Sequence, residues 1–84
     1  MSNEKIDSVV EALNNLLEDS TIPKNVKIKI QNSINVLKDE KTDVSLKVNK
    51  ALDELEELGE DVNLEPYTRT QLWNISSMLE MVDN

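Results

Sequence analysis

The chain has no cysteine, no histidine and no phenylalanine, and only one glycine, one tryptophan, one tyrosine and two prolines in 84 residues. Each scarcity removes a class of explanation. Without cysteine there is no disulfide framework, no thiolate nucleophile and no thiolate zinc site. Without histidine the commonest general base and metal ligand are gone, and no Ser or Thr has an evident base beside it. A single glycine cannot build a phosphate-cradling loop. No apolar run approaches the about 18 residues that a membrane span needs, and the polar start does not read as a signal peptide. Bases are also few. Nine Lys and Arg against seventeen Asp and Glu give a net charge of −8, which argues against nucleic-acid binding through clustered cations. The expectations are therefore no enzyme activity, no cofactor, no metal, no nucleic acid, no membrane and a cytoplasmic setting.

What remains is aliphatic and periodic. Four stretches repeat one template with apolar positions at +4, +7, +8 and +11. They begin at Ile6 (Val10, Leu13, Asn14, Leu17), Val26 (Ile30, Ser33, Ile34, Leu37), Val44 (Val48, Ala51, Leu52, Leu55) and Thr68 (Leu72, Ile75, Ser76, Leu79). That spacing puts the side chains on one stripe of an α-helix. Val9 and Leu16 widen the first stripe. The chain thus reads as one all-α domain over residues 1–84, a single up-and-down bundle of four helices built from two helical hairpins. A domain of this size buries about 60% of its unfolded surface.

Local signals set the boundaries. Helix one runs from about Asn3 to Glu18, capped by Ser2 or Asn3, with Glu4 and Asp7 in its first turn. Pro23 marks the first turn of helix two, which ends near Lys38. Asp43 caps helix three, which ends near Leu58, and Gly59 is expected to close it in the left-handed conformation. Pro66 opens helix four, which runs to about Val82. The short loops make consecutive helices antiparallel neighbours. Asp19-Ser20-Thr21-Ile22-Pro23 echoes Asp61-Val62-Asn63-Leu64-Glu65-Pro66, which hints at a duplicated hairpin of about 40 residues, the size of a HEAT-type unit. Two hairpins are fewer than a solenoid needs, so closure into a bundle is expected.

Asp19-Ser20-Thr21-Ile22-Pro23-Lys24-Asn25-Val26-Lys27 and Tyr67-Thr68-Arg69-Thr70-Gln71-Leu72-Trp73-Asn74-Ile75 resemble the two best-marked segments of a family of short archaeal proteins, uncharacterised protein family 0147. The resemblance spans nearly the whole chain and departs at the acidic loop from Gly59 to Glu65, which is longer here. It implies a four-helix bundle and a cytoplasmic archaeal protein. It implies no activity, because the family has none assigned.

Several features compete for a functional meaning. The segment from Thr21 to Lys38 carries Lys24, Lys27, Lys29 and Lys38 and no acid. The segment from Asp53 to Glu65 carries seven acids and no base. Such runs neutralise one another within a bundle or pair copies head to tail. Glu56 and Glu60 share a helical face, as acid–base pairs do and as solvated carboxylates commonly do. Asp61, Asn63 and Glu65 alternate like the first calcium-loop ligands, but Pro66 and Leu72 stand where glycine and glutamate are required. Lys24, Lys27 and Arg69 lie in first helical turns, against the dipole. Either Asp19 and Asp61 bridge back to them, or they hold an anion at the helix starts. Ile28, Leu46, Trp73 and Met81 fall off the apolar stripe. Trp73 occupies a slot that is Glu11, Gln31 or Asn49 elsewhere. It either wraps a helix edge or anchors a partner. A protein-interaction module, adaptor or self-associating, is the leading reading, with Trp73, Ile28, Leu46 and Met81 as partner-binding residues. A small anion or ligand binder at Lys24, Lys27 and Arg69 is the alternative.

Overall fold

Asn3 starts the first helix by accepting hydrogen bonds at its side-chain Oδ1 from the N–H groups of Lys5 (3.0 Å) and Ile6 (3.3 Å), two of the donors that a helix start leaves orphaned. The computed structural model describes residues 3–82, so the alternative cap, Ser2, lies outside the described residues. Four helices follow: α1 Glu4–Leu17, α2 Lys24–Lys38, α3 Val44–Gly59 and α4 Pro66–Glu80. Each packs on its two neighbours in a closed ring, α1 on α2, α2 on α3, α3 on α4 and α4 on α1, with no packing across either diagonal. Among the described residues there is no strand. The fold is the expected all-α four-helix bundle.

Every buried hydrophobic residue is Ile, Val, Leu or Ala. Leu13, Ile30, Ile34, Leu37, Leu55, Leu72 and Leu79 are the largest of the fully buried side chains at its centre. All fourteen residues named for the inward stripe are buried or half-buried, from Ile6 to Leu79. The centre of the stripe is displaced in two helices, however. In α1 the most buried residues are Ile6, Val9, Leu13 and Leu16, while Val10 and Leu17 flank them and Asn14 is exposed. In α3 they are Val48, Ala51, Leu55 and Leu58, and the assumed first residue, Val44, is exposed.

That displacement reveals the repeat. Adding 42 to a residue number in the first hairpin gives its counterpart in the second. Ile6, Val9, Leu13 and Leu16 map onto Val48, Ala51, Leu55 and Leu58. Val26, Ile30 and Leu37 map onto Thr68, Leu72 and Leu79, and all fourteen are buried. Ser33-Ile34 maps onto Ile75-Ser76, the same two residue types in reversed order and again all buried. The expected template had placed α3 one turn too early. The hint of duplication is a real correspondence of burial, with one correction. Pro23 aligns with Glu65 rather than Pro66. Pro23 is the N-cap of α2, just outside the first turn, whereas Pro66 is the first residue of α4. Neither position needs a backbone N–H donor inside the helix.

The loops repeat as well. Asp19 Oδ1 accepts from the Thr21 N–H (2.9 Å) and the Thr21 hydroxyl (2.7 Å). Asp39 accepts from the Lys41 N–H (2.9 Å) at Oδ1 and from the Thr42 hydroxyl (2.7 Å) at Oδ2. Asp61 Oδ1 accepts from the Asn63 N–H (2.8 Å). In each, an aspartate folds the chain over its own carboxylate. Ile22 and Leu64, five residues past the preceding helix ends at matching points, are buried beneath these turns.

These bonds hold two carboxylates ionised. Donation from the Thr21 hydroxyl, then from the Thr21 N–H, with the Lys27 charge adding less, sets the Asp19 pKa below its ordinary value. The Thr42 hydroxyl, then the Lys41 N–H, lower that of Asp39. A pKa lower in the folded than in the unfolded chain gives stability that is present above the ordinary aspartate pKa. It is lost as pH falls through the still lower folded values. NMR titration should place both carboxyls below the ordinary aspartate value, and Thr21→Val should return Asp19 upward; an unchanged Asp19 midpoint in that variant would refute the assignment.

Candidate functional site

The chain's one tryptophan sits on the chain's one glycine. Helix side chains lean toward the N-terminus, so Trp73, in the middle of α4, reaches back toward the last residue of α3. A Cβ placed on Gly59 would lie 3.2 Å from Trp73 Nε1 and 3.5 Å from Cδ1. The expected left-handed cap at Gly59 is therefore wrong. No described residue has positive φ, and Gly59 is helical and buried. Its bare Cα serves close approach rather than backbone freedom. The equivalent pair in the first hairpin is Leu17 and Gln31, so the second hairpin moves the bulk from one helix to the other.

Despite this seat, Trp73 is 61% exposed. It lies over a helix edge, as one of its two readings had it, and it stays on the surface. Nε1 and Cδ1 are the ring atoms that approach Gly59. Glu56, one turn before Gly59, and Glu60, next after it, flank this seat and are exposed. Asp53 continues the acidic row one turn further. Arg69, one turn before Trp73, is half-buried.

Ile28, Leu46 and Met81 are exposed too, but they do not join Trp73 in one patch. Ile28 is on α2, diagonal to α4. Leu46 starts α3 and Met81 ends α4, about 12 Å along the helix from Trp73 at 1.5 Å per residue. Val62 and Tyr67, also exposed, lie at the α3–α4 loop and the first turn of α4. Tyr67 faces the other way, into a shallow cleft of about 290 Å3 between α1 and α4 lined by Ala12, Asn15, Leu16, Asp19 and Gln71. Its counterpart seam, α2 on α3, carries the ion pair Lys29 Nζ–Glu57 Oε1 at 3.6 Å. The residues equivalent to that pair are Gln71 and Asn15. Lys29–Glu57 thus joins the basic and acidic segments within one bundle at that point.

The cations of the alternative site are divided. Lys24 and Lys27 are on α2 and Arg69 is on α4, with no packing between those helices. Lys27 and Arg69 are repeat equivalents, each following an aspartate turn at Asp19 or Asp61, and Lys27 acts on the Asp19 carboxylate. Among the described residues no three Asp or Glu side chains are gathered as a metal would require, and Asp61 serves its own turn.

Lys47 was not legible as a special residue. It is only 8% exposed, and its Nζ donates to the Asp39 carbonyl at 3.1 Å. Asp39 is the C-cap of α2, so a cation satisfies a helix C-terminus there. The cleft of about 430 Å3 beside it, bordered by Ile6, Leu37, Thr42 and Val44, is where the α1 start, the α2 end and the α3 start diverge. No described helix is long and apolar enough to cross a membrane.

Comparison with known proteins bears on the family and the fold. The model of an uncharacterised protein family, UPF0147, matches residues 1–82. A UPF0147 protein of Thermococcus kodakarensis is 33% identical over 95% of this chain and 98% of its own length. One from Archaeoglobus fulgidus is 32% identical over 98% and 93%, and one from Methanosarcina mazei 31% over 96% and 87%. A crystal structure of a protein of unknown function, MMP1188, superposes with a TM-score of 0.90 at 31% identity, covering 100% of this chain and 96% of that one.

Two substitutions test the local geometry. Gly59→Ala should stabilise by up to about 1 kcal/mol through helix propensity, because the exposed indole can swing away from the new methyl; a loss of stability in urea would show that the seat is rigid. Lys47→Met should cost about 1 kcal/mol by stripping a charged donor from the part-buried bond to the Asp39 carbonyl, read from the same denaturation curves.

Proposed function

We propose a non-catalytic binding role for this chain, which belongs to the uncharacterised protein family UPF0147 and has no activity assigned through it. The surface that carries the role is the α3–α4 face centred on Trp73. One observation supports this above the others: a large aromatic side chain is 61% exposed while the residue beneath it is the only glycine in the chain. An exposed indole offers a large apolar area at once, which is why tryptophan is enriched at binding hot spots. Exposed aliphatics elsewhere are scattered, as on ordinary surfaces. An enzymatic reading has little to stand on, since the residue set offers no histidine or thiol and the carboxylates Glu56 and Glu60 are solvated. An anion held near Lys24, Lys27 and Arg69 is the weaker reading, because those cations are spread over diagonal helices.

Trp73→Ala should leave helicity intact by circular dichroism and shift stability by about 1 kcal/mol or less, far from the ~3–5 kcal/mol of a buried aromatic. In parallel affinity capture from native extract, proteins retained by the wild type should be missing from the variant. Identical sets of retained proteins would remove Trp73 from the binding role.

A further inference from the structure

Resting on the binding role of the Trp73 face, we propose that its occupant is an arginine- or lysine-bearing segment of a basic protein, with a cationic side chain stacked on the indole and bridged to Glu56 and Glu60. Three features carry the choice. Trp73 is 61% exposed, with Nε1 and Cδ1 the ring atoms that approach Gly59. A π-face in that position attracts a cation, and tryptophan is the best aromatic for the purpose. The carboxylates nearest this seat, Glu56 and Glu60, are exposed and make no ion pair among the described residues, whereas Glu57 on the neighbouring seam is engaged by Lys29. A guanidinium fits both demands together, since it is planar for stacking and forked for carboxylates. Arg69, half-buried a turn away, does not offset the acidic row from Asp53 to Glu60.

A second copy of the chain is the obvious competitor, and it fits less well. Each copy carries a net charge of −8, so copies repel at long range while a basic partner is drawn in. A basic apolar spot on a copy, such as Ile28 with Lys24 and Lys27, lies on α2, diagonal to α4. Joining that spot to the Trp73 face would be a heterologous contact that need not close and tends toward open chains.

The test uses synthetic Arg–Ser, Gln–Ser and Leu–Ser repeat peptides, titrated calorimetrically into wild type, Trp73→Ala and Glu56→Gln/Glu60→Gln. Quenching of the single tryptophan serves as a second readout, and circular dichroism confirms that the variants are folded. The Arg–Ser peptide should bind the wild type saturably and lose about fivefold in affinity in each variant. The Gln–Ser and Leu–Ser peptides should not bind. Equal affinity of the Arg–Ser peptide for wild type and Trp73→Ala would reduce the effect to diffuse charge and overturn the proposal. So would preference for the Leu–Ser peptide, absence of any binding, or a Trp73-dependent dimer in sedimentation equilibrium. If capture from extract depends on Trp73 while the Arg–Ser peptide is ignored, the binding role stands and the basic occupant falls. If capture ignores Trp73, the binding role itself falls.

Discussion

Neither hairpin of this bundle can bury its own apolar stripe. Two antiparallel helices in contact still expose most of one face, and here each face is mostly Ile, Leu and Val, with Ala51, Ser33, Thr68 and Ser76 among them. The stripes disappear only when hairpin meets hairpin. With no aromatic residue in the interior, the contact must be made by branched aliphatics, whose shape leaves little slack and whose burial is worth roughly 1.5–3 kcal/mol each. The ring order of the helices, the short loops and the outward position of nearly all the charged groups, Lys47 excepted, follow from satisfying this one demand in 84 residues.

The correspondence between the hairpins separates what that demand controls from what it does not. Core pairs keep their character: Leu13 with Leu55, Leu16 with Leu58, Ile30 with Leu72, Leu37 with Leu79. Where volume is exchanged, as in Ser33-Ile34 against Ile75-Ser76, the pair as a whole is kept. On the surface the hairpins diverge freely, and in one direction at several points. Ser20, Asn25, Gln31 and Asp39 of the first hairpin correspond to Val62, Tyr67, Trp73 and Met81 of the second, all four exposed. The core has no use for this added apolar area. It is the property of the second hairpin that fold alone leaves unexplained, and Trp73 is its largest element.

Much of the architecture was legible because amphipathic periodicity is a strong signal over helices of this length. The stripe residues, the loop positions and the off-stripe places of Ile28, Leu46, Trp73 and Met81 could be read from spacing, whereas whether Trp73 is core or surface could not. Register within a helix was harder. In α1 both Val9 and Val10, and both Leu16 and Leu17, are apolar, so the template could not say which pair faces the centre; only the partner hairpin decides. Gly59 was misread because a glycine near a helix end suits a left-handed cap, and nothing local reveals an indole arriving from fourteen residues away in the chain. Lys47 was invisible for the same reason, since the carbonyl it satisfies belongs to the preceding helix. The relation of Lys24 and Lys27 to Arg69 depended on which helices are diagonal, which spacing cannot show.

The closed ring of neighbours has a kinetic side. Three of its four seams join helices that follow one another along the chain, so each can form after a short loop closes, at small entropic cost. The seam between α1 and α4 is different: it brings together elements at opposite ends of the chain. It is also the seam where the Lys29–Glu57 pair is replaced by Asn15 and Gln71 and where the surface is left cleft. The order of assembly is thereby biased. The hairpins zip first, their union follows, and the α1–α4 edge completes the ring last. By the same token it is the edge at which the native state opens with least loss, so amide protons along it should exchange with solvent ahead of those on the α2–α3 seam.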